Sequence, residues 1–115
     1  MLRTVVTLTM LATLYARTAI AYTGEATWYH AGKGACGFVN KASDHIVALS
    51  PYEYLNGRSC LKNITVQYND RSVDATVVDL CPECASGSID LSMSAFAALA
   101  PLDVGRLRHV VWNFN

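Results

Sequence analysis

The stretch VVDLCPECASGSIDLS, residues 77–92, places two carboxylates on either side of a short loop that contains two cysteines. Asp79 follows a pair of valines, and Asp90 lies between two aliphatic residues. Apolar neighbours raise the pKa of a carboxyl by desolvation, and such a carboxyl can donate a proton or a hydrogen bond. An aspartate before a turn or a helix also commonly caps the backbone. The pattern alone therefore leaves a functional role and a capping role open.

The first 21 residues have the three parts of a secretory signal peptide. Arg3 supplies the positive start, residues 5–16 the apolar core, and Ala19-Ile20-Ala21 a cleavage site of small residues. We therefore expect a secreted, extracellular protein whose mature chain, residues 22–115, forms one domain. The apolar run is shorter than the roughly 18 to 20 residues that cross a bilayer, so we expect no membrane partner after the signal is removed.

The charge balance of the mature chain argues against nucleic acid as a partner. Removing Arg3 and Arg17 from the nine Lys and Arg leaves seven, against nine Asp and Glu, so the formal charge is about −2. No basic patch accompanies this balance. About 94 residues suffice for one hydrophobic core but bury a marginal area, which is where disulfides stabilise small domains. We expect a monomer that needs no cofactor.

Four cysteines, Cys36, Cys60, Cys81 and Cys84, all fall in the mature part of the chain. In an exported protein this favours disulfides, for which three pairings are open. We favour Cys36 with Cys60 and Cys81 with Cys84. The second pair would close the loop between the two aspartates, and the first would join distant segments.

A redox centre and a zinc site are the alternatives to these disulfides. A thioredoxin-like centre requires an activated thiolate, whereas Glu83 would raise the pKa of a neighbouring thiol. Zinc would require two further ligands from His30, His45 or His109, none of which has the spacing of a zinc finger. We therefore expect no metal.

Short runs rich in Val, Ile, Thr and aromatic residues predict five strands, at residues 23–29, 46–49, 63–68, 72–78 and 107–114. The Asn69-Asp70 dipeptide predicts a tight hairpin. Two short helices are expected, one starting at Ser50-Pro51 and ending at Asn56-Gly57, the other running from Ser92 to Pro101. A mainly β chain of this length with two short helices favours a small closed barrel, which has no exposed sheet edges.

Two surface features accompany these elements. Asn63-Ile64-Thr65 is an N-glycosylation sequon, so Asn63 is a candidate glycan acceptor. Arg106 and Arg108 flank the last strand, where their charges could protect a sheet edge from pairing.

Four motifs resemble, in order, those of expansin-like proteins: GEATWY (24–29), GACG (34–37), VD (78–79) and SIDLSMSAF (88–96). The resemblance covers essentially the whole mature chain. It is strongest to the loosenins, single-domain fungal members of the RlpA-like double-psi superfamily that lack the second, carbohydrate-binding domain of plant expansins. It implies an all-β fold, a six-stranded double-psi β-barrel, and the disulfide pairing favoured above.

The same resemblance implies an open groove for a polysaccharide such as cellulose, chitin or another cell-wall glycan. Thr27, Tyr29, Asp79 and Asp90 match its lining residues, and an aromatic residue such as Trp28 can stack on a sugar. We add Glu83, on the cysteine-closed loop, to the expected substrate-binding set. Bacterial expansin-like proteins carry an aromatic residue at the position of Cys81, so that sugar platform is missing here.

The hydrolytic relatives of this barrel, the family 45 endoglucanases, place an aspartate base shortly after the first-strand Thr and aromatics. This sequence reads Tyr29-His30-Ala31 there, whereas Asp90 matches the general acid. Hydrolysis usually needs two carboxyls. With Asp90 and Asp79 as the candidate catalytic pair, we expect non-hydrolytic loosening, in which they exchange hydrogen bonds with glycan hydroxyls.

Two other functions remain open. A lytic transglycosylase-like enzyme could use one aspartate as both acid and base, and so would not need the missing residue. A barwin-like or protease-inhibitor-like module would share the fold and bind a protein instead.

Overall fold

The computed structural model describes residues 20–115 and Thr4, so the predicted signal peptide, residues 1–21, lies almost entirely outside the described residues. Six strands form a closed barrel, interrupted by two short α-helices and two 3₁₀ turns. The predicted mainly β, six-stranded barrel is confirmed. Its elements are β1 (Tyr22–Tyr29), β2 (Ile46–Leu49), α1 (Pro51–Tyr54), a 3₁₀ turn (Leu55–Gly57), β3 (Asn63–Tyr68), β4 (Arg71–Leu80), β5 (Ile89–Ser92), α2 (Met93–Ala97), a second 3₁₀ turn (Leu102–Val104) and β6 (Arg106–Phe114).

The strands follow one another around the barrel in the order β1-β5-β2-β4-β3-β6, and β6 pairs again with β1. The β1–β5 and β2–β4 pairs are parallel, and the other four are antiparallel. Every described strand therefore has two hydrogen-bonded neighbours. Because β6 pairs with both β1 and β3, Arg106 and Arg108 do not protect an edge, and that interpretation was wrong.

The five predicted strands agree with β1, β2, β3, β4 and β6 to within two residues at each end. The Asn69-Asp70 turn joins β3 to β4 as predicted, with Asn69 in the left-handed region at φ +53°. The strand that was not predicted separately is β5, whose four residues include the outward-facing Asp90. This segment is too short for its composition to predict a strand, and its hydrogen bonds to β1 and β2 hold it extended.

The two helices begin at the predicted caps. The Ser50 hydroxyl accepts the N–H of Tyr52 at 3.2 Å, and Leu55 follows α1 in the left-handed region at φ +54°. The Ser92 hydroxyl accepts the N–H of Ala95 at the start of α2. An N-cap hydroxyl satisfies a backbone N–H that has no partner within the helix, which explains both starting points.

The barrel interior is filled by aliphatic side chains from all six strands, by Trp112, and by Phe96 from α2. Phe96 is fully buried and Leu99 is 3% exposed. A register shift between β1 and β6 keeps these side chains inward. Glu25 of β1 faces two residues of β6, Arg108 and His109, and His109 has a left-handed φ of +63°. This bulge turns the next residue inward again, so the alternation resumes toward the core.

Glu53 is a buried carboxylate that fixes the loop between β4 and β5. It accepts hydrogen bonds from the Ser50 hydroxyl, the Ser86 hydroxyl and the backbone N–H of Gly87. The carbonyl of Gly87 in turn accepts the indole N–H of Trp112 at 2.8 Å. Glu53 stands three residues after the N-cap Ser50, the spacing of a capping box, in which its side chain would bind the backbone N–H of Ser50. It turns inward instead, because buried N–H and O–H groups require an acceptor.

Gly87 cannot be replaced without strain at this point. Its φ of +84° is one that side-chain-bearing residues rarely adopt, and a Cβ here would lie 2.2 Å from the carbonyl oxygen of Thr23. The loop therefore passes close to the start of β1. Contacts of Gly87 with Glu53, Trp112 and Thr23 hold it against the barrel.

We predict that Glu53→Ala lowers the free energy of unfolding by about 3 kcal/mol, because it leaves the buried Gly87 N–H and the buried Ser50 hydroxyl without this acceptor. Glu53→Gln keeps one acceptor oxygen and should lose less. Glu83→Ala, on the exposed part of the same loop, should change stability by no more than about 0.5 kcal/mol. Chemical denaturation of the three variants measures the difference, and equal stabilities for Glu53→Ala and Glu83→Ala would refute the role of Glu53.

Candidate functional site

Five residues from five adjacent strands form a continuous row across the barrel. Arg106 of β6 pairs with Thr27 of β1, Thr27 pairs with Asp90 of β5, Asp90 pairs with Ala48 of β2, and Ala48 pairs with Asp79 of β4. Directly opposed residues of neighbouring strands point to the same face. The residues next to the row along their strands are buried in the core, including Ala26, Val47, Leu91 and Leu107. We call these five residues, which lie on the face opposite the core, the polar row; Ala48 is its one apolar member and is only 2% exposed.

A β-bulge places Asp79 in this row. Val47 pairs with Val77, but the next residue of β2, Ala48, pairs with Asp79, so Val78 is the extra residue. Without the extra residue, Val78 would face Ala48 and Asp79 would turn to the other side of the sheet.

Asp90 is half-buried and is held by a hydrogen bond that the Thr27 hydroxyl donates to its Oδ1 at 3.0 Å. Burial raises the pKa of Asp90 above its ordinary value. The negative charges of Glu83 and Asp79 add to this, whereas the Thr27 hydrogen bond and the Arg106 guanidinium lower the pKa and only partly offset the rise. A carboxyl with a raised pKa can accept or donate a hydrogen bond at a mildly acidic pH.

Asp79 faces a different set of partners. Its Oδ1 accepts the backbone N–H of Ala35 and that of Leu80, both at 2.8 Å. Asp79 and Asp90 are two strand spacings apart, about 10 Å between their Cα positions, with the small side chain of Ala48 between them. The hydrogen bonds tie Asp79 to the loop after β1 rather than to Asp90 or Thr27.

This loop lies against the bulge because its glycine allows close approach. A Cβ on Gly34 would be 2.3 Å from the carbonyl oxygen of Val78. The same carbonyl accepts the N–H of Cys36 at 3.0 Å, and the Cys36–Cys60 disulfide joins the loop to the segment before β3. Both predicted disulfides, Cys36–Cys60 and Cys81–Cys84, are present.

Tyr29 lies beside the polar row, where it pairs with Ser92 of β5. Burial raises the pKa of its phenol far above the usual range, and the charges of Asp79 and Asp90 raise it further. The phenol therefore stays protonated at neutral pH and can donate a hydrogen bond. Thr27, Tyr29, Asp79 and Asp90, which were predicted to act together, lie on one face of the barrel.

A cleft of about 250 Å³ opens at one end of the polar row. Thr27, Asp90 and Arg106 line it from the barrel side. Glu25 and Glu83 also line it, together with the disulfide-closed loop between Cys81 and Cys84. Glu83, predicted to bind substrate, is thus exposed at the cleft beside Asp90. Sequence reasoning missed Arg106 as a residue of this site, because its pairing with Thr27 is not visible in the sequence.

Trp28 is not brought to the polar row. It pairs with the buried Leu91, packs against the core, and donates its indole N–H to the carbonyl of Leu102 at 2.8 Å. Trp28 is half-buried, and its ring makes an edge-to-face contact with that of His30, with the ring centroids 5.7 Å apart. The structure thus gives Trp28 a packing role, and its contact with sugar stays a prediction.

Asn63 is exposed at the start of β3, where its side-chain oxygen accepts the hydroxyl of Thr76 at 2.8 Å. Its glycosylation also stays a prediction. Among residues 20–115 no group of three or more His, Cys, Asp or Glu side chains is arranged to hold a metal ion. None of the helices in the described part of the chain has the length and hydrophobicity needed to span a bilayer.

Comparison with known proteins identifies the family. Residues 21–111 match the double-psi β-barrel family described as "Lytic transglycolase". The chain belongs to the RlpA-like double-psi β-barrel family. Within it, the six-stranded barrel and the relatives described next make the chain expansin-like.

The chain is similar in sequence to a bacterial papain inhibitor and to a plant EG45-like protein. It is 37% identical over 100 residues to a papain inhibitor of Streptomyces mobaraensis, in an alignment that covers 80% of this chain and 70% of the inhibitor. It is 31% identical over 119 residues to EG45-like domain containing protein 2 of Arabidopsis thaliana, which covers 92% of this chain and 91% of that protein.

Solved structures show the same double-psi barrel. The Streptomyces papain inhibitor superimposes with a TM-score of 0.76 at 38% identity, over 83% of this chain and 94% of the inhibitor chain. A mutant expansin of Clavibacter michiganensis, solved in complex with cellohexaose, superimposes with a TM-score of 0.77 at 27% identity, over 84% of this chain. The match spans 50% of that expansin.

We predict that Asp90→Asn is more stable than the wild type near neutral pH, and that the difference shrinks toward pH 3. The raised pKa of Asp90 means that ionisation costs more in the folded state than in the unfolded state. The stabilising contribution of the wild-type carboxyl is thus fully present below the pKa of an unfolded aspartate, about 3.9, and is lost as the pH rises through the raised value. Asparagine does not ionise and keeps the acceptor for Thr27.

Denaturation at a series of pH values from 3 to 7 measures this difference. Asp70→Asn, at the exposed hairpin between β3 and β4, is the matched control. A stability difference between Asp90→Asn and wild type that is independent of pH would contradict the environment described for Asp90.

Proposed function

We propose that this protein is a secreted, non-hydrolytic polysaccharide-binding protein that loosens cell-wall glycans such as cellulose or chitin. The observation that carries the proposal is the polar row, which aligns Thr27, Asp90 and Asp79 on one outward face beside a cleft. The similarity to an expansin solved in complex with cellohexaose supports it.

The row offers the hydrogen-bonding groups that a sugar chain requires. Measured along the sheet, its four strand spacings extend about 19 Å, which accommodates several sugar rings. Tyr29 contributes a protonated phenol, Asp79 keeps acceptor capacity beyond its two backbone N–H partners, and Asp90 can act as donor or acceptor. Donors and acceptors that lie together on one face suit a chain of hydroxyl groups.

The arrangement of carboxyls favours binding over hydrolysis. The segment that carries the base in the hydrolytic relatives reads Tyr29-His30-Ala31, so no carboxylate follows β1 to activate water. Asp79, the other carboxyl of the row, is engaged by two backbone N–H groups. One exchanged hydrogen bond contributes only about 1 kcal/mol net, so loosening would depend on several contacts made together along the row.

Export is part of the proposal. All four cysteines form disulfides, which persist in oxidising compartments and are rare in the cytosol. The signal-like residues 1–21 are consistent with that environment.

The test compares wild type, Asp90→Asn and the control Asp70→Asn on insoluble cellulose, chitin and peptidoglycan in parallel. We expect wild type and Asp70→Asn to bind and to weaken cellulose or chitin networks without releasing soluble reducing ends. Asp90→Asn should bind about tenfold more weakly, because it loses a charge-assisted hydrogen bond. Release of reducing sugar in proportion to the amount of protein would contradict the non-hydrolytic mechanism.

Protease inhibition is the second candidate, favoured by the 37% identity to a papain inhibitor. Its test is a papain assay with the same three proteins. Inhibition by wild type and Asp90→Asn alike, without binding to any glycan, would replace the carbohydrate function by protein binding. Anhydro-sugar ends in digested peptidoglycan, detected by mass spectrometry, would instead indicate the lytic transglycosylase-like reaction.

A further inference from the structure

Arg106 lies at the β6 end of the polar row, and the proposed function assigns it no role. It is the register partner of Thr27 and lines the cleft beside Asp90. Its guanidinium forms an ion pair with Glu25, whose other carboxylate oxygen binds Arg108 at 3.0 Å. One glutamate of β1 thus holds two arginines of β6, and only one of them lies in the cleft.

We propose that Arg106 is a glycan-contacting residue of the groove, that Glu25 holds it in position, and that this end of the groove selects neutral over anionic polysaccharides. The inference rests on the proposed function, because it concerns the substrate class of the same site. It extends the binding surface from four strands to five.

The position of Arg106 supports direct contact. Residues that face each other across a strand pair present their side chains to the same side, so Arg106 and Thr27 meet a ligand on the row together. A guanidinium has five N–H donors, and the ion pair with Glu25 uses Nη1. The remaining donors can bind sugar hydroxyls, and the planar group can also lie along a sugar ring.

Glu25 reduces the loss of side-chain entropy on binding. An unpaired arginine at a surface samples many rotamers, and fixing them costs free energy when a ligand binds. The Arg106 side chain is 54% exposed and that of Glu25 is 34% exposed, so the pair is partly shielded from solvent at the cleft. Arg108 is 73% exposed and is not among the residues that line the cleft.

The charges around the cleft decide the substrate class. Glu25, Glu83 and Asp90 line it together with Arg106, so carboxylates outnumber the one arginine. Because Glu25 already balances the guanidinium, a uronic acid would bring its own carboxylate toward Glu83 and Asp90 without a free counter-charge. Hydroxyl groups of a neutral chain meet no such repulsion.

A second readout tests whether the Arg106 guanidinium acts on Asp90 within the cleft. The groups that act on Asp90 are Glu83 from the disulfide-closed loop, Asp79 from β4, and Arg106 from β6, with Thr27 bound to it from β1. Arg106 is the group in this set whose positive charge favours the ionised carboxyl. Removing that charge should raise the pKa of Asp90 further, whereas removing Arg108 should not.

The experiment compares Arg106→Gln with Arg108→Gln, which removes the other partner of Glu25 and is the matched control. The ligands are cellohexaose as the neutral probe and hexagalacturonic acid as the anionic probe. We expect wild type to bind cellohexaose more tightly than hexagalacturonic acid. Arg106→Gln should bind cellohexaose about tenfold more weakly, and Arg108→Gln should stay within about twofold of wild type. NMR titration of the Asp90 carboxyl should show a pKa above that of the wild type in Arg106→Gln and an unchanged pKa in Arg108→Gln.

Glu25→Gln tests the selectivity directly. It keeps the size of the side chain but leaves the Arg106 charge unbalanced, so we expect weaker binding of cellohexaose and relatively stronger binding of hexagalacturonic acid. Thermal unfolding of all variants checks that each is folded.

The outcomes distinguish this inference from the function on which it rests. If wild type binds cellohexaose and Asp90→Asn weakens binding, but Arg106→Gln behaves like Arg108→Gln, the inference alone is overturned. A wild-type preference for hexagalacturonic acid also overturns it. If wild type binds neither probe nor any insoluble glycan, the proposed function fails, and the inference fails with it.

Discussion

The buried carboxylate of Glu53 is the interaction on which the geometry of the site depends. It accepts the N–H of Gly87, which lies two residues before β5 begins. The carbonyl of Gly87 accepts the indole N–H of Trp112. A strand of four residues has few contacts of its own to determine its register. If β5 slipped by one residue, Asp90 would turn toward the core and Ile89 toward solvent. Glu53 thus acts at a distance from the row, by determining which residue of β5 faces outward.

Two bulges set the side-chain direction in β4 and β6, the two strands that flank β3. At Val78 the extra residue brings a polar side chain to the outer face, and at His109 it returns an apolar one to the interior. A bulge also increases the local twist, which a small barrel requires in order to close. The site and the closure of the barrel therefore use the same backbone irregularities, and neither can be changed without affecting the other.

Local signals in the sequence predicted much of this structure, because they act over a few residues. Serine caps, the Asn69-Asp70 turn and runs of β-branched residues need no distant partner. The burial of Glu53 and the pairing of Arg106 with Thr27 depend on long-range register, which no local pattern encodes. The inward direction of Trp28 could have been read from the alternation of β1, since Thr27 and Tyr29 were both predicted to face the groove.

The strand order also bears on how the chain reaches this state. Of the six neighbouring pairs in the described barrel, only β3 with β4 joins strands that are consecutive in the sequence. Each remaining pair can form only after a long loop has closed, which costs conformational entropy. Chains dominated by such non-local strand pairs fold slowly. The hairpin at Asn69-Asp70 is the part that can form early, while β5, which carries Asp90, must be inserted between β1 and β2. The carboxyl at the centre of the site is therefore carried by a strand that has no local partner to guide its assembly.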